Sequence, residues 1–124
     1  MLNSFIDNNI NSRPVYVTDE IEPYIGEKYK RIPMGMVYKL NNEVEYLEAP
    51  VKPISFRQYN KTGKYPDMLM GFYGVMFINR ANYERYFSHR DRAYKYLDEL
   101  QAIYPNYIPA LNLRRIMDAE NAGQ

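Results

Sequence analysis

At 124 residues the chain is long enough for one packed domain whose core needs no covalent staples. Its formal charge of +1, from 16 basic and 15 acidic residues, gives no general attraction to nucleic acid or anionic lipid. The absence of cysteine excludes disulfides, thiolate metal sites and cysteine nucleophiles.

The chain carries 14 tyrosines and no tryptophan. Tyrosine buries a ring while keeping a hydroxyl at the edge, which fits a small core with wet margins, or a surface that meets a partner. The opening "MLNSFIDNNINSR" has neither a basic stretch nor an apolar run of the secretory type. The most apolar segment, "MLMGFYGVMFI" at 68–78, is too short for a bilayer, which takes about 20 residues, and reads as part of a buried helix.

In chain order, Leu2, Phe5, Ile6 and Ile10 recur at helical spacing and predict a short amphipathic helix over 3–10. "NNINSRP" breaks it. "PVYVT", 14–18, is β-branched and aromatic and predicts a strand. "DEIEPYIGEKYK" then predicts a helix made short or irregular by Gly26. Pro23 sits in its first turn, and Asp19, Glu20 and Glu22 lie at its positive end. "IPMGMVYKL", 32–40, reads as a second strand, "NNE" as a turn and "VEYLEA", 44–49, as a third strand. If the first two strands are parallel, their crossover is right-handed.

"APVKPISFRQYNKTGKYP" reads as an extended connector. From Pro66 the pattern turns helical. Gly71 and Gly74 in that helix point to close approach of another element, or to a break. "SHRD", 88–91, is a turn in which Ser88 is placed to cap and Asp91 to reciprocate. A helix over 90–104 lines up Ala93, Tyr96, Leu97, Leu100 and Tyr104, and Pro105 ends it. Asn106 is placed to cap a last helix over 107–119, with Pro109 in its first turn. The expected fold class is therefore α+β: a two- to three-stranded α/β part over 1–50, a connector over 51–65 and a three-helix part over 66–124, in one domain.

Ala93, Leu97, Leu100 and Pro105 match the second helix of a tetratricopeptide-type repeat. "PNYIPAL" matches the entry to a following one, and Ala81 falls where the first helix needs a small residue. The inter-helix turn has Ser88 where such repeats favour Gly, and one hairpin with a trailing helix is less than an array needs. A plain helical hairpin accounts for the same residues.

"RPVYVT" at 13–18, followed by Tyr29, Ile32, Pro33, Gly35, Met36, Val37, Tyr38, Lys39 and Leu40, resembles a segment of certain bacterial membrane proteins. It is similar to the soluble C-terminal region of multi-span proteins of the protein O-mannosyltransferase type, in which tetratricopeptide-like helices commonly follow. The resemblance covers about residues 9–47 closely and the helices loosely. It implies an extracytoplasmic module attached to a glycosyltransferase-like membrane protein; outside the resemblance, a cytoplasmic location is the expectation. The catalytic acids and lipid-sugar site of such enzymes belong to the membrane portion, so no residue here inherits them.

The candidates for chemistry are thin. His89 is the only histidine and sits in a turn beside Arg90 and Asp91, with no set of ligands or nucleophile at useful spacing. Asp19, Glu20 and Glu22 form an acidic cluster that helix-start electrostatics explains. "NKTGK" lacks the first Gly and the Gly-Lys-Ser/Thr ending of a phosphate loop. "NKT" is a glycosylation triplet that has meaning only in a secretory pathway. The arginines of the helical half are interrupted by acids, which argues for solvated faces over an RNA surface. The expectation is a non-catalytic accessory module that binds a protein or peptide partner and uses no cofactor, metal or nucleic acid. Its expected contact surface is the exposed aromatics Tyr83, Tyr86 and Tyr94 with Arg80 and Arg90. The alternative is a small α/β ligand-binding or enzymatic domain with its site near Thr18, Asp19 and Glu20, at the end of the first strand.

Overall fold

The structure is a computed structural model that describes residues 1–18, 20–49 and 64–123, with side chains in the last stretch from residue 70. The expected connector, apart from its first and last residues, lies outside the described residues, as do Asp19, the "NKT" triplet and most of "NKTGK". The chain divides into two compact units, Met1–Ala49 and Pro50–Gln124. The architecture is α+β, with helix α1 (Leu2–Asn9), strands β1 (Val15–Val17), β2 (Lys30–Met34) and β3 (Val37–Asn41), and helices α2 (Lys64–Tyr86), α3 (Arg90–Ile103) and α4 (Ile108–Ala122).

In the first unit the strands lie in the order β1-β3-β2, and both pairs are antiparallel. The parallel pair with a right-handed crossover is therefore not formed. The reason is a hairpin inside the stretch expected to be one strand. Met34 pairs with Val37, leaving Gly35 and Met36 as a two-residue loop. Gly35 has φ +74 and Met36 keeps a negative φ, which makes the turn type II′, the kind whose twist suits a hairpin. Pro33 is tolerated because β2 is an edge strand. β3 is flanked on both sides, and 44–49 stays irregular where a third strand was expected.

The expected helix after β1 is instead a run of turns. Ile21, Ile25 and Tyr29 each donate an N–H to the carbonyl three residues earlier. Gly26 takes a left-handed φ of +68, which a helix interior does not allow. Its N–H donates to Asn3 Oδ1 at 2.7 Å, tying the turns to α1. The unit's core is Ile6, Val17, Ile25 and Leu40. Of the apolar positions on α1, Ile6 is buried while Leu2 and Phe5 are exposed.

In the second unit the helices fall close to their expected spans. Phe77 meets Tyr96, and Glu84 meets Arg92, so α2 and α3 run antiparallel. Tyr94 meets Asp118, and Arg114 meets both Gln101 and Asp98, so α4 runs antiparallel to α3. Gly74 meets Tyr107, and Arg85 meets Glu120, so α4 runs alongside α2 in the same direction. The core is Met76, Phe77, Ala81, Ala93, Tyr96, Leu97, Leu100, Ala110, Leu113 and Met117. Ala81, Ala93 and Ala110 are fully buried, one on each helix, where a larger side chain would hold the backbones apart. Of the two glycines of α2, a side chain at Gly74 would strike Tyr107, whereas one at Gly71 would meet nothing within 4 Å among the described residues. The close approach expected from the glycine spacing thus exists at one of them.

The helix ends differ from expectation. His89 is the N-cap of α3 and Tyr107 that of α4, and neither makes a side-chain cap. Ser88 and Asn106 therefore do not cap, and the capping box is not formed. Ser88 serves the preceding helix instead. It has φ +64, its N–H donates to Arg85 O at 3.0 Å, and the His89 N–H donates to Glu84 O at 2.8 Å. That pair of bonds is a Schellman motif with serine in the place that usually holds glycine. Ser88→Gly is expected to stabilise the chain by about 1 kcal/mol, because the left-handed conformation costs an L-residue roughly that much. A urea titration that puts Ser88→Gly at or below the wild-type midpoint contradicts the assignment.

Candidate interaction site

Two side-chain clusters in the helical unit are candidates, and the chain pattern separates them. Met76, Phe77, Arg80, Ala81 and Glu84 follow one another at alternating steps of one and three, so they share the face of α2 that packs inward. Arg80 and Glu84 therefore lie on the buried face. Arg80 is 2% exposed and Glu84 is 0% exposed. The Glu84 Oε1 atom accepts from Arg80 Nε and from Arg92 Nε, each at 3.2 Å, and forms an ion pair with Arg80 Nη2 at 3.1 Å. The Arg80 guanidinium also lies 4.6 Å from the centre of the Tyr83 ring. Burial is the main cause that pushes the nearby Tyr96 hydroxyl pKa up. Arg80 was expected on an exposed contact surface, and its place in this cluster corrects that expectation.

The second cluster is at the α2–α3 turn, where the Schellman motif reverses the chain. An open notch of about 530 Å³ is lined there by Asn82, Arg85, Tyr86, Ser88, Arg90 and Glu120. A second open hollow of about 610 Å³ is lined by Ser88, His89, Arg90, Asp91 and Arg92. The first is held together by arginines. Arg85 makes a two-pronged pair with Glu120, with Nε donating to Oε2 at 3.0 Å and Nη2 donating to Oε1. This bond is the main cause that lowers the Glu120 pKa and raises that of Arg85. Arg90 Nη1 donates to Asn121 Oδ1 at 3.1 Å. Both cations stand at the C-terminal end of α4, where the helix dipole favours positive charge.

Among the other residues named from the sequence, Tyr86 and Arg90 come together at the notch, while Tyr83 and Tyr94 do not line it. Tyr86 is 73% exposed, with its ring edge-on to Phe87 at 5.1 Å. Tyr83 is half-buried, 5.0 Å from Phe87. Tyr94 is engaged in holding α4: its hydroxyl donates to Asp118 at 2.6 Å, the main cause that raises its pKa. Asn82, Arg85, Ser88 and Glu120 were not placed at a site from the sequence. Arg85 and Asn82 share a helical edge with Tyr86, a local signal. Glu120 is 35 residues from Arg85, and no spacing rule links them.

At the alternative site, Thr18 and Glu20 are exposed, and the rule for parallel strands does not apply to an antiparallel sheet. Among the described residues no group of three histidines or carboxylates is placed to hold a metal. Among them, too, no helix is long and apolar enough to cross a membrane. Compared with known proteins, the chain matches no family model, no curated protein and no solved structure.

Proposed function

We propose that the chain is a non-catalytic interaction module that offers the α2–α3 turn of a tetratricopeptide-like hairpin to a protein partner. The observation that carries this reading is Tyr86, an exposed aromatic beside Arg85 and Arg90, whose guanidiniums are already fixed by α4. Tyrosine and arginine dominate binding energy at protein interfaces. Side chains held in place before binding lose less entropy when a partner arrives. The hairpin with alanine at its crossings, followed by a third helix parallel to the first, supports the repeat-like part of the proposal.

The residues 13–18 and 29–40 supply the wider setting, that of an accessory part of an extracytoplasmic glycosyltransferase-like membrane assembly. Their likeness to the soluble regions of such proteins is what supports it. Two measurements test the reading. An antibody to this chain, used on soluble and membrane fractions of the source cell, is expected to reveal a membrane-associated species. A soluble band near 14.8 kDa alone overturns the membrane setting. Pull-down with wild-type protein, Tyr86→Ala and Arg90→Ala is expected to show partner recovery falling at least about tenfold in each variant. Equal recovery overturns the contact surface.

A further inference from the structure

Helix α4 is apolar on two sides, and the second unit covers one of them. Ala110, Leu113 and Met117 point into the core. At about 100° per residue the opposite flank carries Ile108, Leu111, Asn112, Arg115 and Ala119, with Ile116 at one margin and Asp118, which accepts from the Tyr94 hydroxyl, at the other. Ile108 is 62% exposed, Leu111 41% and Ile116 48%. Over 15 residues this flank makes a strip about 22 Å long, the footprint of a helix laid alongside.

Charge decides what kind of helix. Arg115 lies midway between Ile108 and Ala122, in the middle of the strip. Its one hydrogen bond among the described residues goes to Asn112 Oδ1 at 2.8 Å, and no carboxylate among them pairs with it. A second copy of the chain, paired along α4 in either direction over its full length, brings Arg115 against Arg115, and like charges at a closing interface are repulsive. A helix with an apolar stripe and a carboxylate at its centre meets the same strip with opposite charge. We propose that the outer face of α4 docks an acidic amphipathic helix from another protein, with Arg115 pairing its central carboxylate. This face is distinct from the notch at the α2–α3 turn.

The probe is a displayed library of amphipathic helical peptides, with the apolar stripe kept and the central polar position randomised, selected on the full chain. Wild-type protein is expected to enrich Asp or Glu at the centre, with about tenfold preference over Lys. Arg115→Glu is expected to invert that preference, and Arg115→Gln to flatten it. Because these side chains are exposed, all variants should melt with the wild type. Tyr86→Ala should leave the selection unchanged, which separates this face from the notch. Three results overturn the proposal: no peptide enriched, enrichment indifferent to the central charge or to Arg115, or a wild-type dimer in sedimentation that Ile116→Ser returns to monomer. The last identifies the occupant as a second copy.

Discussion

Glu84→Ala is expected to lower the stability of the chain by about 3–5 kcal/mol, the cost of breaking a buried ion pair from one side. Glu84 has no exposed surface, and its Oε1 is shared by Arg80 and Arg92. Removing that carboxylate leaves the Arg80 charge in the packed interior with one counter-charge fewer, and the two guanidiniums face each other across the gap. Arg92, with 25% of its side chain exposed, can turn toward water; Arg80, at 3%, cannot. Arg92→Ala should therefore cost less than Glu84→Ala. Replacing Arg80 and Glu84 together by methionine removes both desolvated charges and fills the same space. That double variant should be near neutral, or more stable than wild type by about 1–4 kcal/mol. Urea titration of the full chain reads all three. A loss below about 1 kcal/mol for Glu84→Ala contradicts the burial of the cluster. If the double variant keeps partner binding while Tyr86→Ala loses it, the buried cluster is structural and the notch is the contact.

The two halves of the chain were unequally legible. The helical half repeats its apolar residues at three and four, over spans long enough for the pattern to dominate, and Pro105 and Pro109 punctuate it. The first half hides its turns inside apparently continuous segments. Gly35 lies between two methionines in a stretch of strand-forming character, and the two-residue loop is visible only as the pair Gly35–Met36. Gly26 signalled an irregular helix, yet its left-handed φ and its bond to Asn3 let successive turns replace the helix altogether. At the site, the alternation of arginines with acids along the helical half points Arg80 to a solvated face. Its spacing from Phe77, Ala81 and Glu84 was the better guide. Glu120 was out of reach, because nothing local marks the partner of Arg85 on a helix two elements away.

Gly74 and Gly71 should respond to substitution in opposite directions, although they sit one turn apart on the same helix. Alanine is about 1 kcal/mol better than glycine in a helix interior, so Gly71→Ala, which meets nothing within 4 Å among the described residues, should gain about that much. The same methyl at Gly74 falls 2.6 Å from Cε1 and Cζ of Tyr107 and 2.9 Å from its hydroxyl oxygen. The ring has little room to yield, because it is stacked on Tyr104 at 4.9 Å. Overpacking of this kind costs about 1–3 kcal/mol, which cancels or exceeds the helical gain, and Gly74→Leu should lie at or beyond the upper end. The loss should be local to the seam between α2 and the start of α4. Tyr107→Ala is damaging on its own because it opens a cavity, but it should make Gly74→Leu nearly harmless when the two are combined. The coupling between the two sites is then of the order of the Gly74→Leu loss, about 3 kcal/mol, and of opposite sign. Additive effects, or a gain from Gly74→Ala equal to that from Gly71→Ala, contradict the contact. The same cycle bears on function. α4 is held to α2 by Tyr107 on Gly74 near one end and by Glu120 on Arg85 at the other. Loosening the first contact should therefore unsettle the second, and with it the position of Arg85 beneath Tyr86.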